Sequence, residues 1–130
     1  MEQAILKCGI CGAVVEVLVE CQCYTGFECC GQPMQEEIPQ TADRTKEKHV
    51  PVGEVFSKWE TKVTVGSTLH PMTEEHRILW IEMINGSMRM RKYLKAGERP
   101  EAIFPMPFTP GVVLREYCNI HGLWVYEYKE

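Results

Sequence analysis

Two histidines, His70 and His76, lie six residues apart in the stretch HPMTEEH. Residues at this spacing do not share a helix face, and along a strand they lie about 20 Å apart. Pro71 also argues against regular strand pairing. Only a looped segment can bring both imidazoles to one point, and binding of a metal ion is the usual reason for such a loop. We therefore expect the rest of the chain to supply further ligands of that metal.

The other two histidines and an isolated cysteine fit this expectation. His49 lies in the turn-like segment KHVP, and Cys118 and His121 form a C-x-x-H pair, compact enough for both side chains to bind one ion. A single histidine of this kind is more often an ordinary surface or core residue. Four of them, with a cysteine at chelating spacing, predict one centre of four imidazoles and one thiolate.

The donor set limits the chemistry of this centre without fixing the metal. Structural zinc usually takes four ligands, whereas imidazole also suits iron, copper and nickel. Four imidazoles in one plane with a thiolate below them would leave a sixth position open. An axial thiolate pushes electron density onto iron. The set therefore favours redox chemistry on a small oxygen species over a structural role.

The remaining six cysteines lie within residues 8–30. Cys8, Cys11, Cys29 and Cys30 supply four thiolates, enough for a tetrahedral iron or zinc site. Cys21 and Cys23 form a C-x-C pair and are interpreted as free thiols, with substitute ligands as the alternative. A zinc ribbon without a redox role is the alternative for the whole module. Such cysteine usage is typical of ligands or reactive thiols in a reducing compartment.

The composition is that of an ordinary globular protein and indicates which partners and compartments to expect. It has 130 residues, 45% hydrophobic and 25% charged, with a net charge of −4. The acidic balance argues against nucleic acid or an anionic membrane as the main partner. There is no apolar run near the roughly 18 residues of a membrane span, and the N-terminus lacks the features of a signal peptide. We expect a cytoplasmic protein.

Two regions of different character are expected. Residues 1–37 form a cysteine-rich unit with a strand at 13–19, and residues 38–46 read as a polar linker. From residue 47 the pattern is a series of short strands separated by turn residues, including the hairpin signal Asn85-Gly86. About seven strands without a helix predict an immunoglobulin-like β-sandwich. The candidates are 50–55, 59–65, 78–84, 88–94, 102–104, 112–117 and 123–128.

Three segments carry a family resemblance: EKHVPV at 47–52, HPMTEEHRILWIE at 70–82 and EYCNIHGLW at 116–124. They resemble the signature segments of the superoxide reductases, and the N-terminal cysteines resemble the desulforedoxin module. Over essentially its full length the chain is similar to the two-iron form, the desulfoferrodoxins. The resemblance implies an all-β chain with a small desulforedoxin-like metal-binding domain at 1–37, followed by an immunoglobulin-like superoxide reductase domain at 47–130.

The resemblance also implies two iron centres and an activity. The catalytic iron would be held by four histidines in a plane and one axial cysteine: His49, His70, His76, His121 and Cys118. The accessory iron would be held by Cys8, Cys11, Cys29 and Cys30. The implied reaction is the one-electron reduction of superoxide to hydrogen peroxide, with re-reduction by a rubredoxin-like donor. Family members of this type are expected to be homodimers.

Two residues beside His49 are candidate contributors to the reaction. Lys48 could place a positive charge over the open position, which an acidic protein needs in order to attract an anion, and could hold a proton-donating water. Its alternative is a solvated lysine in the charged run 44–48. Glu47 matches a glutamate that, in the family, closes onto the ferric iron. Its alternative is an ordinary surface charge.

Two other classes of function compete with the reductase. A non-catalytic electron-transfer protein would use both irons only as relays, and a zinc-stabilised interaction module would have no visible absorbance. Three tryptophans lie on or beside predicted strands and are expected to be core residues rather than cofactor contacts: Trp59, Trp80 and Trp124.

Overall fold

The computed structural model describes residues 4–20, 26–42, 49–66 and 70–130. The interpretations placed on Cys21, Cys23, Glu47 and Lys48 lie outside these described residues. The chain divides into two compact units, Met1–Ile38 and Pro39–Glu130. Across the described ranges, no helix is long and apolar enough to cross a membrane.

The first unit is built from very short strands. Strand β1 (Ile5–Lys7) pairs with β2 (Val14–Glu16) and β5 (Gln35–Glu36), while β3 (Glu28–Cys29) pairs with β4 (Gln32–Pro33). The strand expected at 13–19 is therefore shorter than predicted. Only three residues of β1 face it, and beyond them Leu18 and Val19 are 77% and 79% exposed. With little apolar surface buried, this unit depends on its cysteines for stability.

The second unit is a sandwich of two antiparallel sheets. Strands β6 (Pro51–Ser57), β7 (Glu60–Val65) and β10 (Glu101–Phe104) form one sheet in the order β10-β7-β6. The other sheet has the order β12-β11-β8-β9, from β8 (Ile78–Asn85), β9 (Met88–Tyr93), β11 (Val113–Cys118) and β12 (Gly122–Glu127). All seven expected strands are present, with ends shifted by one or two residues. The all-β, immunoglobulin-like architecture is confirmed.

Alternation of side chains builds the core between the sheets. In β7, Thr61, Val63 and Val65 are buried, while the residues between them are only partly buried. Met83 of β8 and Leu114 of β11 are register partners, and both are fully buried in the same cluster. A period of two is what a strand with one face on a core requires. The site described below is attached to the ends of these strands.

The β8–β9 hairpin turns one residue later than the Asn-Gly signal suggests. Asn85 is already paired with Met88, so Gly86 and Ser87 form the two-residue loop. Gly86 has φ of +58°, whereas Ser87 does not have a positive φ. A positive φ at the first position alone is typical of a type II′ turn, which favours glycine there.

A charged cluster lies on the face of the four-stranded sheet that points away from the core. Glu82 is 2% exposed, and its carboxylate accepts hydrogen bonds of 2.7 Å from both Arg91 and Arg115. Arg89 lies 3.8 Å from the same carboxylate. The guanidinium group of Arg91 also lies 4.2 Å from the centroid of the Trp80 ring. Trp80 is buried as expected, but among charges rather than in the apolar core, whereas Trp59 is 66% exposed and is not a core residue.

Replacement of Glu82 by alanine should destabilise the second unit strongly. It leaves buried arginines without their shared carboxylate, and loss of one partner of a buried ion pair costs about 3–5 kcal/mol. The free energy of unfolding in urea, followed by tryptophan fluorescence, measures this directly because all three tryptophans lie in this unit. The exposed Glu54→Ala change is the matched control, expected to stay within about 0.5 kcal/mol. Equal losses in the two variants would contradict this role of Glu82.

Candidate metal centres

The segment 70–76 forms a loop that brings its two histidines together. The hydroxyl of Thr73 accepts a hydrogen bond of 3.0 Å from the backbone N–H of His76, and the N–H of Thr73 donates to the carbonyl of His76 at 2.9 Å. These bonds close a tight turn. The rings of His70 and His76 consequently lie 4.6 Å apart between centroids. The sequence prediction that these histidines meet through a loop is correct.

The second part of the site is the hairpin between β11 and β12. A register shift marks a bulge at Leu79 of the neighbouring strand β8, so Tyr117 pairs with Trp80 and Cys118 with Ile78, while β11 stays in register with β12 up to Cys118 and Gly122. The backbone N–H of His121 donates to the Cys118 sulfur at 3.4 Å. Successive residues of a strand point to opposite faces of the sheet. Here Tyr117 lies on the outer face of the sheet, while Cys118 is fully buried in the core cluster.

One residue between the ligands, Asn119, holds the two loops together. Its side-chain oxygen accepts a hydrogen bond from the N–H of Arg77 at 2.9 Å, and its amide donates to the carbonyl of Glu75 at 2.9 Å. Its backbone N–H donates to the carbonyl of Arg77 at 3.2 Å. These bonds flank His76 on both sides. They fix the 70–76 loop relative to the Cys118–His121 hairpin.

The four imidazole rings form a closed cycle. The ring centroids of neighbours lie 4.6 Å apart for His49–His70 and for His70–His76, 5.0 Å for His76–His121 and 4.7 Å for His121–His49. Each neighbouring pair meets edge to face, at angles between 66° and 85°. Four donors in such a cycle surround one central point.

Cys118 completes the set at a position outside this cycle. Its sulfur lies 3.6 Å from Nε2 of His70 and 3.8 Å from Nδ1 of His121, which are opposite members of the cycle. One donor atom from each of the five residues lies within 4.8 Å of all the others. A donor near two opposite members of a square is placed as an axial ligand. The structure therefore brings together all five residues predicted for the catalytic iron.

These distances fit a metal better than a hydrogen-bond network. Nε2 of His49 lies 3.0 Å from Nε2 of His70 and also 3.0 Å from Nδ1 of His121. One ring nitrogen carries a single lone pair or a single N–H, so it cannot make good hydrogen bonds to both. For metal–nitrogen bonds of about 2.1 Å, donors at right angles lie about 3.0 Å apart. Imidazole and thiolate donors together suit iron, which the residues present can hold.

The surroundings orient the ring nitrogens. Nδ1 of His70 lies 2.7 Å from the carbonyl of Pro71, which can only accept a hydrogen bond, so Nδ1 carries the proton and Nε2 keeps its lone pair for the centre. His49 is buried against Trp124, with ring centroids 4.6 Å apart and planes 15° from parallel. Gln40 and Trp124 both donate to the carbonyl of His121, at 2.7 and 3.2 Å.

Sequence reasoning missed these supporting residues. Trp124 was interpreted only as a core residue, and Gln40 fell within the predicted linker, although it pairs with Trp124. Asn119 was not considered. Its position between two ligands in CNIH is the one signal that could have pointed to it.

A second cluster of donors lies in the first unit. Four sulfur atoms lie within 4.8 Å of one another, those of Cys8, Cys11, Cys29 and Cys30. The sulfur of Cys29 lies 3.6 Å from that of Cys11 and 3.9 Å from that of Cys30. Tetrahedral sites with metal–sulfur bonds of about 2.3 Å have sulfurs about 3.8 Å apart, so the cluster fits one metal ion. Cys30 has φ of +55°, an uncommon conformation for a side chain next to another ligand.

The backbone prepares one of these thiols for ionisation. The N–H groups of Cys11 and Ile10 lower the pKa of Cys8 to about 6, with the N–H of Cys11 contributing most. Contacts with Cys8 and then Cys11 raise the pKa of Cys29 to about 12. Sulfur contact with Cys11 is the largest of the effects that raise the pKa of Cys30. In the metal-free site the thiolate therefore resides preferentially on Cys8, and metal binding must displace protons from the others.

Comparison with known proteins places this geometry in a family. The desulfoferrodoxin family profile matches residues 41–127. The chain belongs to the desulfoferrodoxin family. It is 47% identical over 123 residues to a desulfoferrodoxin of Nitratidesulfovibrio vulgaris, with 92% of both chains covered.

Two solved structures extend the match to the fold. The crystal structure of the superoxide reductase from Treponema pallidum covers 97% of this chain and 98% of its own, with a TM-score of 0.74 and 28% identity. The reduced superoxide reductase (neelaredoxin) of Archaeoglobus fulgidus covers 70% of this chain and 96% of its own, with a TM-score of 0.54 and 36% identity. The family resemblance is confirmed. The chain also carries both ligand clusters expected for two iron centres.

Proposed function

We infer that this protein is a superoxide reductase, and the observation that carries the inference is the cycle of four imidazoles with Cys118 in the axial place. When bound there, ferrous iron supplies the single electron that, with two protons, reduces superoxide to hydrogen peroxide. We assign the catalytic iron to His49, His70, His76, His121 and Cys118. The accessory iron is assigned to Cys8, Cys11, Cys29 and Cys30.

The burial of the five ligands supports an approach for substrate from one side. Cys118 is fully buried, and His49 and His70 are nearly so, whereas His121 is exposed. The thiolate thus occupies the protein side of the centre. These five residues would hold the iron, and five protein donors would leave one position of a six-coordinate metal for a small anion. A pure electron relay, the rival function, has no need of an open position.

We propose that Lys48 attracts superoxide to this position and holds the water that supplies its protons. The proposal rests on its place beside His49 and on the net charge of −4, against which an anion needs a local cation. Glu47, on the other side of Lys48, is proposed to close onto the oxidised centre. The expected signature of Glu47→Ala is a shifted visible absorption band of the oxidised protein, and an unchanged spectrum would reject that role.

Lys48→Ala should slow the reaction of the reduced protein with superoxide about tenfold or more and flatten its dependence on ionic strength. Lys46→Ala removes the same charge from the same run and is the matched control, expected to have a small effect. Stopped-flow traces after mixing with superoxide at several salt concentrations measure both properties. Equal slowing in the two variants would show that only net charge matters.

Further features are proposed at the level of the whole protein. A rubredoxin-like protein is the proposed electron donor, and the cytoplasm is the proposed compartment, supported by a cysteine usage typical of metal ligands in a reducing compartment. A homodimer is supported by exposed apolar side chains on the first unit around a cleft of about 440 Å³ that includes Val15, Leu18 and Phe27.

We propose a metal-binding domain at 1–37, a linker at 38–46 and a reductase domain at 47–130.

Metal content and turnover together test this function. The purified protein should be coloured and contain two irons per chain, which a zinc-stabilised interaction module would not. Superoxide consumption should continue only while an external reductant is supplied. Catalytic loss of superoxide without reductant would identify a dismutase and reject a reductase.

A further inference from the structure

A basic surface follows β9 and the turn after it. Residues 89–99 contain five basic residues and one acidic residue, although the chain as a whole has a net charge of −4. We define the β9 patch as Arg89, Arg91, Lys92, Tyr93 and Lys95. Lys92 and Lys95 are exposed, and Tyr93 is 68% exposed. β9 is an edge strand at the side of the sandwich: Arg89, Arg91 and Tyr93 lie on the face shared with Glu82, and Lys92 lies at the edge of the opposite face.

Two arginines of the patch are held in place by a buried carboxylate. Buried Glu82 binds Arg91 and Arg115 at 2.7 Å, and Arg91 also reaches the hydroxyl of Tyr93 at 3.4 Å. Arg89 lies 3.8 Å from the same carboxylate. Basic groups fixed in advance bind a negatively charged partner at a lower entropic cost than flexible ones.

An aromatic pair connects the patch with the catalytic centre. Arg91 lies over the ring of Trp80, which stacks on the ring of Tyr117 with centroids 6.0 Å apart and planes 20° from parallel. Tyr117 is bonded through the backbone to Cys118, and because successive strand residues point to opposite faces, the Cys118 sulfur lies on the core side of the sheet. Stacked rings followed by covalent bonds form a short path for an electron between the outer face of the sheet and the thiolate.

We propose that the β9 patch is the docking surface for an acidic, one-electron donor protein, which reduces the oxidised catalytic centre by way of Trp80, Tyr117 and Cys118. The proposal rests on the proposed function, since it assigns the docking place of the donor. Charge complementarity identifies the occupant: the rest of this acidic chain repels an acidic protein, and the patch attracts one. In the step the donor loses one electron and the centre gains it, and no bond is formed or broken.

Charge reversal in the iron-loaded protein tests the docking surface, with an acidic rubredoxin as the probe. The double variant Lys92→Glu/Lys95→Glu is compared with Lys58→Glu/Lys129→Glu, which changes net charge equally at exposed lysines outside the patch. At low salt, the patch variant should raise the dissociation constant measured by calorimetry about tenfold or more and slow electron transfer from the reduced probe by a similar factor. The control should change both by less than about threefold.

The proposed electron path through Trp80 is tested separately, by the rate of electron transfer. With rubredoxin saturating, Trp80→Leu should slow electron transfer to the centre, and Trp80→Phe, which keeps a ring, should retain most of the rate. Equal effects of the two double variants, or none from either, would overturn the docking surface. Equal rates in Trp80→Leu and Trp80→Phe would overturn the path. Oxidation of the pre-reduced protein by superoxide needs no donor, so its failure would instead reject the proposed function.

Discussion

Replacement of Cys118 by serine is expected to remove the reaction with superoxide, with a loss of at least about 100-fold in its rate. The sulfur is fully buried and lies 3.6 and 3.8 Å from two opposite imidazoles, so its replacement removes a donor on the protein side of the site. Serine has a similar shape but supplies no thiolate to push electron density onto iron. Even supporting residues around a metal typically change affinity or activity by 10–100-fold, and a direct ligand should exceed this.

Spectroscopy separates loss of the ligand from loss of the fold. The visible absorption that arises from the axial thiolate should disappear in Cys118→Ser, while that of the four-cysteine centre remains. Cys21→Ser is the matched control, since it removes a thiol that is not assigned to either metal. A Cys118→Ser protein that still reacted with superoxide at nearly the original rate would show that the assignment of the axial ligand is wrong.

Replacement of Cys29 by serine should have the largest effect on the first unit. The sulfur of Cys29 lies 3.6 Å from that of Cys11 and 3.9 Å from that of Cys30, and the strands around it are only two or three residues long. Metal binding in structural sites of this size contributes about 10–16 kcal/mol, which is also folding free energy. The variant should bind one iron per chain instead of two, and residues 1–38 should become sensitive to protease.

The same variant shows whether the accessory centre takes part in superoxide reduction. The five ligands of the catalytic centre all lie in the other unit, Pro39–Glu130. We therefore expect the pre-reduced Cys29→Ser protein to react with superoxide within about threefold of the original rate, by stopped-flow absorbance. Loss of that reaction together with the accessory iron would contradict the independence of the two centres, provided Cys23→Ser behaves like the unchanged protein.

The strands of the second unit could be predicted from the sequence because each one has a local pattern of alternating residues and flanking turns. Alternation in β7 and the turn residues between strands predicted the sandwich, and the six-residue spacing of His70 and His76 predicted a loop. The bulge at Leu79 could not be predicted from the sequence, because it depends on the register between β11 and β8. The strand at 13–19 was predicted too long, since its apolar run continues after its partner strand has ended.

The ligands were more predictable than the residues that hold them. The type and spacing of histidines and cysteines can indicate a metal site, whereas asparagine, glutamine and tryptophan occur in any fold and indicate none. Asn119 matters because its hydrogen bonds reach Glu75 and Arg77, more than 40 positions away in the chain. Trp124 contacts His49 only after β12 has paired with β11 and placed its ring against the site. Such long-range contacts leave no local pattern.

The products of a single reaction test the central claim most directly. The fully reduced protein would be mixed rapidly with superoxide under anaerobic conditions, and hydrogen peroxide and dioxygen would be quantified. A reductase is expected to yield one hydrogen peroxide for each catalytic centre oxidised and no dioxygen from that reaction beyond the slow spontaneous background. Dioxygen and hydrogen peroxide formed in equal amounts, one of each from two superoxides as in a dismutase, or a centre left reduced, would contradict the account.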